Sequence, residues 1–202
     1  MRALIAVVLT GGRSRRMGTP KAWAEVGGRT CLARVVDACR GAALEVEFQG
    51  ELAGLEAAFP ATPVHADAAP GEGPLAALAA ALARRPGQPL LLLACDLPLL
   101  PPPLLRALLE GLPGADWVVP LHADRLHPLC AAYGPGVLPV ATALLGQGRR
   151  DMHALLAHAS LVGRPLAPSP AWGDPEAALL NVNTPADLAE AGRRAGGTPL
   201  RR

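Results

Sequence analysis

An apolar run over residues 3–9 leads straight into Thr-Gly-Gly-Arg-Ser-Arg-Arg-Met-Gly-Thr-Pro-Lys, residues 10–21. This junction constrains the fold more than any other stretch. The apolar run reads as a buried strand. Gly11, Gly12 and Gly18 let the following backbone turn sharply and approach a ligand without Cβ clashes. Arg13, Arg15, Arg16 and Lys21 crowd the same loop with positive charge. Backbone N–H groups beside clustered cations make an anion site, and a polyphosphate suits it. The plainer alternative, a basic surface loop, does not need glycines so close behind a strand. A Walker loop is excluded, because Thr19 and Pro20 separate Gly18 from Lys21. The dinucleotide pattern G-x-G-x-x-G is also absent.

Further along, short apolar runs alternate with helix-like stretches, the pattern of a parallel sheet covered by helices. Strands are expected at 3–9, 44–48, 63–66, 90–95, 116–121 and 161–166. A returning segment is expected at 126–133 and an apolar segment at 178–182. Helices are expected at 31–39, 51–59, 75–83, 104–112, 136–145, 152–159 and 185–194, and residues 193–202 are expected to fray. The run 90–95 is apolar throughout, as befits a central strand buried on both faces. The expected architecture is α/β: a single Rossmann-like domain over 1–202, with a mainly parallel twisted sheet and helices on both faces. Ligands of such sheets sit at the carboxyl ends of the strands. That places the loop after Leu9, Asp67 and Asp96 on one edge.

Composition narrows the function. A net charge of +2 is too small for a strong field toward nucleic acid, and aromatics at 3% offer few stacking platforms. Cys31, Cys39, Cys95 and Cys130 form no C-x-x-C pair, which argues against a zinc ribbon. Reduced thiols in the cytoplasm are the expectation. The apolar window 90–109 is broken by Asp96 and four prolines, so no membrane span is expected there. Glycine and proline number 22 each, but they fall between apolar runs and read as turns.

Asp96, just past a buried strand, needs a partner, a hydrogen bond or a metal. Beside triphosphate oxygens Mg2+ fits, since it favours one or two carboxylates plus phosphates and waters. The alternative is an Asp that merely opens a turn before Pro98. Gln49 and Asp67 end neighbouring strands and are candidates for base or ribose contacts; Gln49 before Gly50 could equally be an ordinary turn residue. A thiol nucleophile is disfavoured, because Cys95 lies in a buried strand. A metal cluster of His122, Asp124 and His127 lacks strand-edge support.

The stretch 9–21 resembles L-A-[GA]-G-x-S-x-R-M-G-x-[DP]-K, the signature of nucleotidyltransferases, and its Gly11-Gly12 form is similar to the molybdenum cofactor guanylyltransferase family. The likeness extends to Asp67 with Gly73-Pro74-Leu75, to Asp96-Leu97-Pro98, to His127-Pro128-Leu129 and to Asn181-Val182-Asn183-Thr184-Pro185. It implies transfer of GMP from GTP to the terminal phosphate of molybdopterin. The resemblance assigns Lys21, Asp96 and Arg15 to catalysis and Asp96 to Mg2+. It assigns Leu9, Thr10, Gly11, Gly12, Lys21, Gln49, Asp67 and Asp96 to the nucleotide. His127, Arg149, Arg150, Asn181 and Asn183 would face the acceptor. Transient contacts with molybdoenzymes or cofactor-delivery proteins are implied; nucleic acid and membrane are not. Thr10 replaces the usual Ala, and Pro20 is the residue of the cytidylyl branch. The alternatives are therefore a molybdopterin cytidylyltransferase, a sugar-phosphate nucleotidyltransferase, or a non-catalytic chaperone that binds nucleotide and molybdopterin.

Overall fold

A computed structural model describes residues 4–11, 20–67 and 71–196. In chain order the strands are β1 (Ile5–Leu9), β2 (Glu25–Val26), β3 (Arg29–Thr30), β4 (Glu45–Gln49), β5 (Val64–His65), β6 (Leu90–Ala94), β7 (Trp117–His122), β8 (Arg125–Leu126), β9 (Cys130–Tyr133) and β10 (Gly163–Leu166). The helices are α1 (Cys31–Gly41), α2 (Leu55–Ala58), α3 (Gly73–Ala83), α4 (Pro102–Glu110), α5 (Val137–Gly146), α6 (Met152–Leu156), α7 (Pro175–Ala178) and α8 (Pro185–Gly196), with 3-10 turns at Lys21–Trp23 and Pro170–Trp172.

The main sheet runs in the order β10-β7-β9-β6-β1-β4-β5, with β8 paired to β7. The two central strands are apolar on both faces because helices cover both. Ala6, Val8, Leu91 and Leu93 point into one core layer, against Leu32, Val35 and Val36 of α1 and Leu104, Leu105 and Leu108 of α4. The alternate residues Ile5, Val7, Leu90 and Leu92 point into the other, against Leu75, Leu78 and Leu82 of α3 and Val137, Ala141 and Leu144 of α5. The period of two therefore distributes one apolar run between two layers. Among the described residues no helix is long and apolar enough to cross a membrane.

Register positions the site. Leu9 stands opposite both Gln49 and Ala94, and Gln49 stands opposite His65. These parallel strands end level, so Thr10, Gly50, Asp67 and Asp96 emerge at one edge. Strand β9 is antiparallel to both β6 and β7, which makes the sheet mixed. Its reversed course brings its first residue, Cys130, opposite Leu93, so the preceding His127-Pro128-Leu129 lies at that same edge.

Two local expectations need correction, and one hairpin had no expectation. The helix expected over 51–59 shrinks to Leu55–Ala58, because Gly54 adopts φ 83° at its start and Pro60 closes its end. The apolar segment expected at 178–182 is buried, with Ala178 ending α7 and Leu179 and Val182 packed inside. Residues 193–196, expected to fray, continue α8; residues 197–202 lie outside the described residues. The hairpin of β2 and β3 was not anticipated, although its signal is present. Gly27 and Gly28 both have positive φ, 59° and 76°, as a two-residue hairpin turn requires.

Candidate active site

Three segments far apart in sequence converge at the carboxyl edge. Lys21 Nζ lies 3.3 Å from Asp96 Oδ2 and also donates to Asn183 Oδ1. Each segment is fixed by packing. Lys21 opens a 3-10 turn whose next residue, Ala22, is buried in the core. Ala24, Val26, Val182 and Ala191 then form a small cluster that draws α8 onto the β2–β3 hairpin. The Val182 N–H donates to the Asp96 carbonyl over 2.9 Å, pinning the Asn-x-Asn segment beside the end of β6. The Asp187 carboxylate accepts from Asn183 N at 2.9 Å and Thr184 N at 2.8 Å, while Thr184 Oγ1 accepts from Asp187 N at 3.2 Å. This reciprocal cap holds Asn183 toward Lys21.

The electrostatics of Asp96 are unusual. Burial pushes its carboxyl above the ordinary carboxylate range, and Lys21 pulls the other way without cancelling the effect. Its Oδ2 faces Lys21, but its buried Oδ1 has no hydrogen-bond partner among the described residues. A buried hard oxygen without a partner among the described residues suits a divalent cation. No group of three or more His, Cys, Asp or Glu side chains is placed to hold a metal among the described residues, so the His122, Asp124 and His127 grouping does not form one. A single carboxylate is what a cation shared with a polyphosphate needs.

A second set of residues lies at the ends of β1, β4 and β5. The Thr10 hydroxyl is 2.6 Å from Gly50 O and 3.2 Å from Gln49 O. The amides of Thr10 and Gly11 both point to Gln49 O, at 2.9 and 3.4 Å. These two amides are therefore committed to the fold rather than free for phosphate. A Cβ on Gly50, which has φ 100°, would stand 2.7 Å from Gly11 Cα; one on Gly11 would stand 2.9 Å from Asp67 Oδ2. Glycine at both positions lets three strand ends cross closely. Gln49 is fully buried, and its Nε2 donates to Ala66 O at 3.1 Å and to Asp67 Oδ1 at 3.0 Å. Its Oε1 accepts from Arg84 Nη2 at 2.7 Å. Arg84 carried no sequence signal, since 35 residues separate it from Gln49.

The remaining candidates are spread along the rim. His127 is half-buried, and desolvation, then Arg125 and His122, hold its imidazole below the usual histidine range. Its carbonyl accepts from Cys130 N at 2.9 Å. Asn181 is half-buried next to Val182. Arg150 pairs with Glu72 at 2.6 Å, at the start of α3, and Arg149 lies 3.6 Å from Asp151. Both arginines already hold carboxylates. Gly12 and Arg15 lie outside the described residues. The four cysteines are free; burial pushes Cys31 up to about 11 and Cys39 and Cys95 up to about 12, and it raises Cys130 as well. Thiols held that far up stay protonated and are poor nucleophiles.

Residues 6–162 match the MobA-like NTP transferase domain. This chain belongs to that family. A Pelotomaculum thermopropionicum protein named "Probable molybdenum cofactor guanylyltransferase" is 36% identical over 190 residues, covering 92% of this chain and 90% of that protein. The transferase fold is shared with molybdopterin-guanine dinucleotide biosynthesis protein A of Archaeoglobus fulgidus, at TM-score 0.81 and 23% identity over 96% of this chain and all of that one. It is shared too with a Mycobacterium tuberculosis protein solved in complex with manganese, at TM-score 0.71 and 23% identity over 95% and 99% of the two chains. The mixed α/β sheet of this transferase thus has close counterparts, and the fold class expected from its sequence holds.

Proposed function

We propose that this transferase moves GMP from GTP to the terminal phosphate of molybdopterin, releasing pyrophosphate. The observation that carries this reading is the meeting of Lys21, Asp96 and Asn183, with one buried Asp96 oxygen that has no partner among the described residues. The names borne by its relatives support guanine over the cytosine suggested by Pro20, and molybdopterin over a sugar phosphate. Membership in a transferase family weighs against a purely carrying role.

The chemistry follows from the site. An oxygen of the acceptor phosphate attacks the α-phosphorus of GTP, the bond to the bridging oxygen breaks, and pyrophosphate departs with that electron pair. The attacking oxygen is already ionised, so no general base is required. Catalysis is then positioning plus charge neutralisation. Asp96 would hold a divalent cation, Mg2+ in this reading, which when bound offsets negative charge on triphosphate oxygens. Lys21 gives up its contacts with Asp96 and Asn183 and turns to the phosphates. Arg15 and Gly12 are assigned to the same phosphates. Leu9, Thr10 and Gly11 shape the wall under the nucleotide, and Asp67 takes a hydrogen bond from the nucleoside. Asn181, Asn183 and His127 face the acceptor, and Arg149 and Arg150 meet its phosphate by exchanging their present carboxylate partners. The free thiols accord with the cytoplasm, where transient delivery to molybdoenzymes would take place.

The test is pyrophosphate release with molybdopterin and GTP, CTP or UTP. GTP is expected to support turnover at least ~100-fold better than the others, the rejection a site reaches when its polar groups are left unpaired. Preference for CTP would overturn the guanylyl reading. Binding of GTP and molybdopterin without pyrophosphate release would point instead to a carrier.

A further inference from the structure

We infer that Arg84 is a specificity-determining positioning residue, which sets the polarity of the buried Gln49 amide and thereby the orientation of the nucleoside-facing Asp67 carboxylate. The inference rests on the reading of Asp67 given above. Glu47 and Gln49 share one face of β4, and both are buried. Two arginines just past the end of α3 reach onto that face, Arg85 to Glu47 and Arg84 to Gln49. Arginine can only donate hydrogen bonds. The amide oxygen of Gln49 must therefore face Arg84 and its nitrogen must face Ala66 O and Asp67 Oδ1. With Asp67 Oδ1 held in this way, Oδ2 stands over Gly11, within 2.9 Å of where a Cβ would be.

Without Arg84 the buried Gln49 Oε1 loses its donor, and only Ala66 O and Asp67 Oδ1 still hold the amide, so the contact between Gln49 and Asp67 loosens. A flipped amide would leave its nitrogen unpaired and press its oxygen against the Asp67 carboxylate. Acceptor against acceptor is repulsive, so Asp67 would turn away and Oδ2 would leave its place. Arg84 itself is exposed and touches no reacting atom. What matters is that the group at position 84 donates. Lysine preserves that property; methionine and glutamate do not.

The experiment measures GTP affinity by calorimetry and steady-state kinetics for wild type, Arg84→Met, Arg84→Lys, Arg84→Glu and Asp67→Asn. Analogues lacking one nucleoside donor each are included: ITP for the guanine amino group, 2′-deoxy-GTP and 3′-deoxy-GTP for the ribose. Arg84→Met is expected to raise the Kd and KM for GTP about tenfold, the equivalent of one hydrogen bond. Its kcat should stay within about twofold of wild type. The preference for GTP over the analogue that Asp67 discriminates should shrink by a similar factor. Arg84→Lys should recover most of the loss, and Arg84→Glu should be the worst. Arg84→Met binding GTP as wild type does, while Asp67→Asn binds it weakly, would overturn the role of Arg84 and leave that of Asp67 standing. Arg84→Lys as poor as Arg84→Met would also overturn it, since shape rather than donation would then matter. An Asp67→Asn variant with unchanged affinity and discrimination would instead remove the underlying reading of Asp67, and this inference with it.

Discussion

The Lys21 centre and the Asp67 corner occupy the same sheet edge and are built in opposite ways. Around Asp67 the Gln49 side chain is paired at both ends: Arg84 donates to its oxygen and its nitrogen donates to Ala66 O and Asp67 Oδ1, while the Thr10 and Gly11 amides close on the Gln49 carbonyl. Around Asp96 one buried oxygen has no partner among the described residues, and the carboxyl is pushed up by its own desolvation. A closed network holds its shape at little cost and is suited to recognition. An open one stores an unmet demand that a cation and phosphates can satisfy, and is suited to reaction.

The sharpest way to break this contrast is Asp96→Ala. Pyrophosphate release at saturating GTP and Mg2+ should fall ~100- to 1000-fold, a barrier increase of about 3–4 kcal/mol. Turnover near wild type would mean that the centre is not the reactive half. Next comes Lys21→Met, which should lower kcat about 100-fold. Combined with Asp96→Ala, its loss should be much less than additive, because the two side chains touch. In the closed corner the expected effect is on folding instead. Gly50→Ala places a side chain at φ 100° against Gly11 and should destabilise by about 2 kcal/mol. A fall in Tm of roughly 4–8 °C would register this for a chain of this size.

The smallest effect runs in the opposite direction. Asp96 has a raised folded-state pKa, so the folded chain holds its proton more tightly than the unfolded chain does. The stability this contributes is complete below the unfolded carboxylate pKa and disappears as pH rises through the folded value. At neutral pH without metal the ionised carboxylate is therefore a burden. Asp96→Asn should then be more stable than wild type by about 1 kcal/mol, with the advantage shrinking as pH falls. Thermal melts across pH 4 to 8, with and without Mg2+, check this; added metal should stabilise only the wild type. An Asn variant less stable than wild type at every pH would show that Asp96 is no reservoir of unmet demand.

How much of this was legible in the chain differs by residue. Asp96 and Asp67 could be placed because each follows an apolar run whose end the eye can find. The cap of Thr184, Pro185 and Asp187 was likewise local. Gly27-Gly28 announced a hairpin that was passed over, and the hairpin matters because it draws α8 toward Lys21. The return of 126–133 beside the 116–121 strand was legible, but the antiparallel pairing of β9 with β6 on its other side was not. Nor was Arg84, whose partner lies a strand, a loop and a helix away. Arg150 was visible as a cation, but its pairing with Glu72 was not.

The chain by itself determined its elements and its chemical types: an apolar strand that ends in glycines and cations, a carboxylate one step beyond a buried run, and helices that begin at proline. Such features depend on neighbours a few residues apart, where backbone sterics and side-chain period act directly. Only the folded arrangement decided that Leu9, Gln49 and Ala94 end level, that Lys21 meets Asn183 across 162 residues, and that one Asp96 oxygen has no partner among the described residues. Those outcomes follow from strand order and from two packed core layers acting together, and no local stretch contains that information.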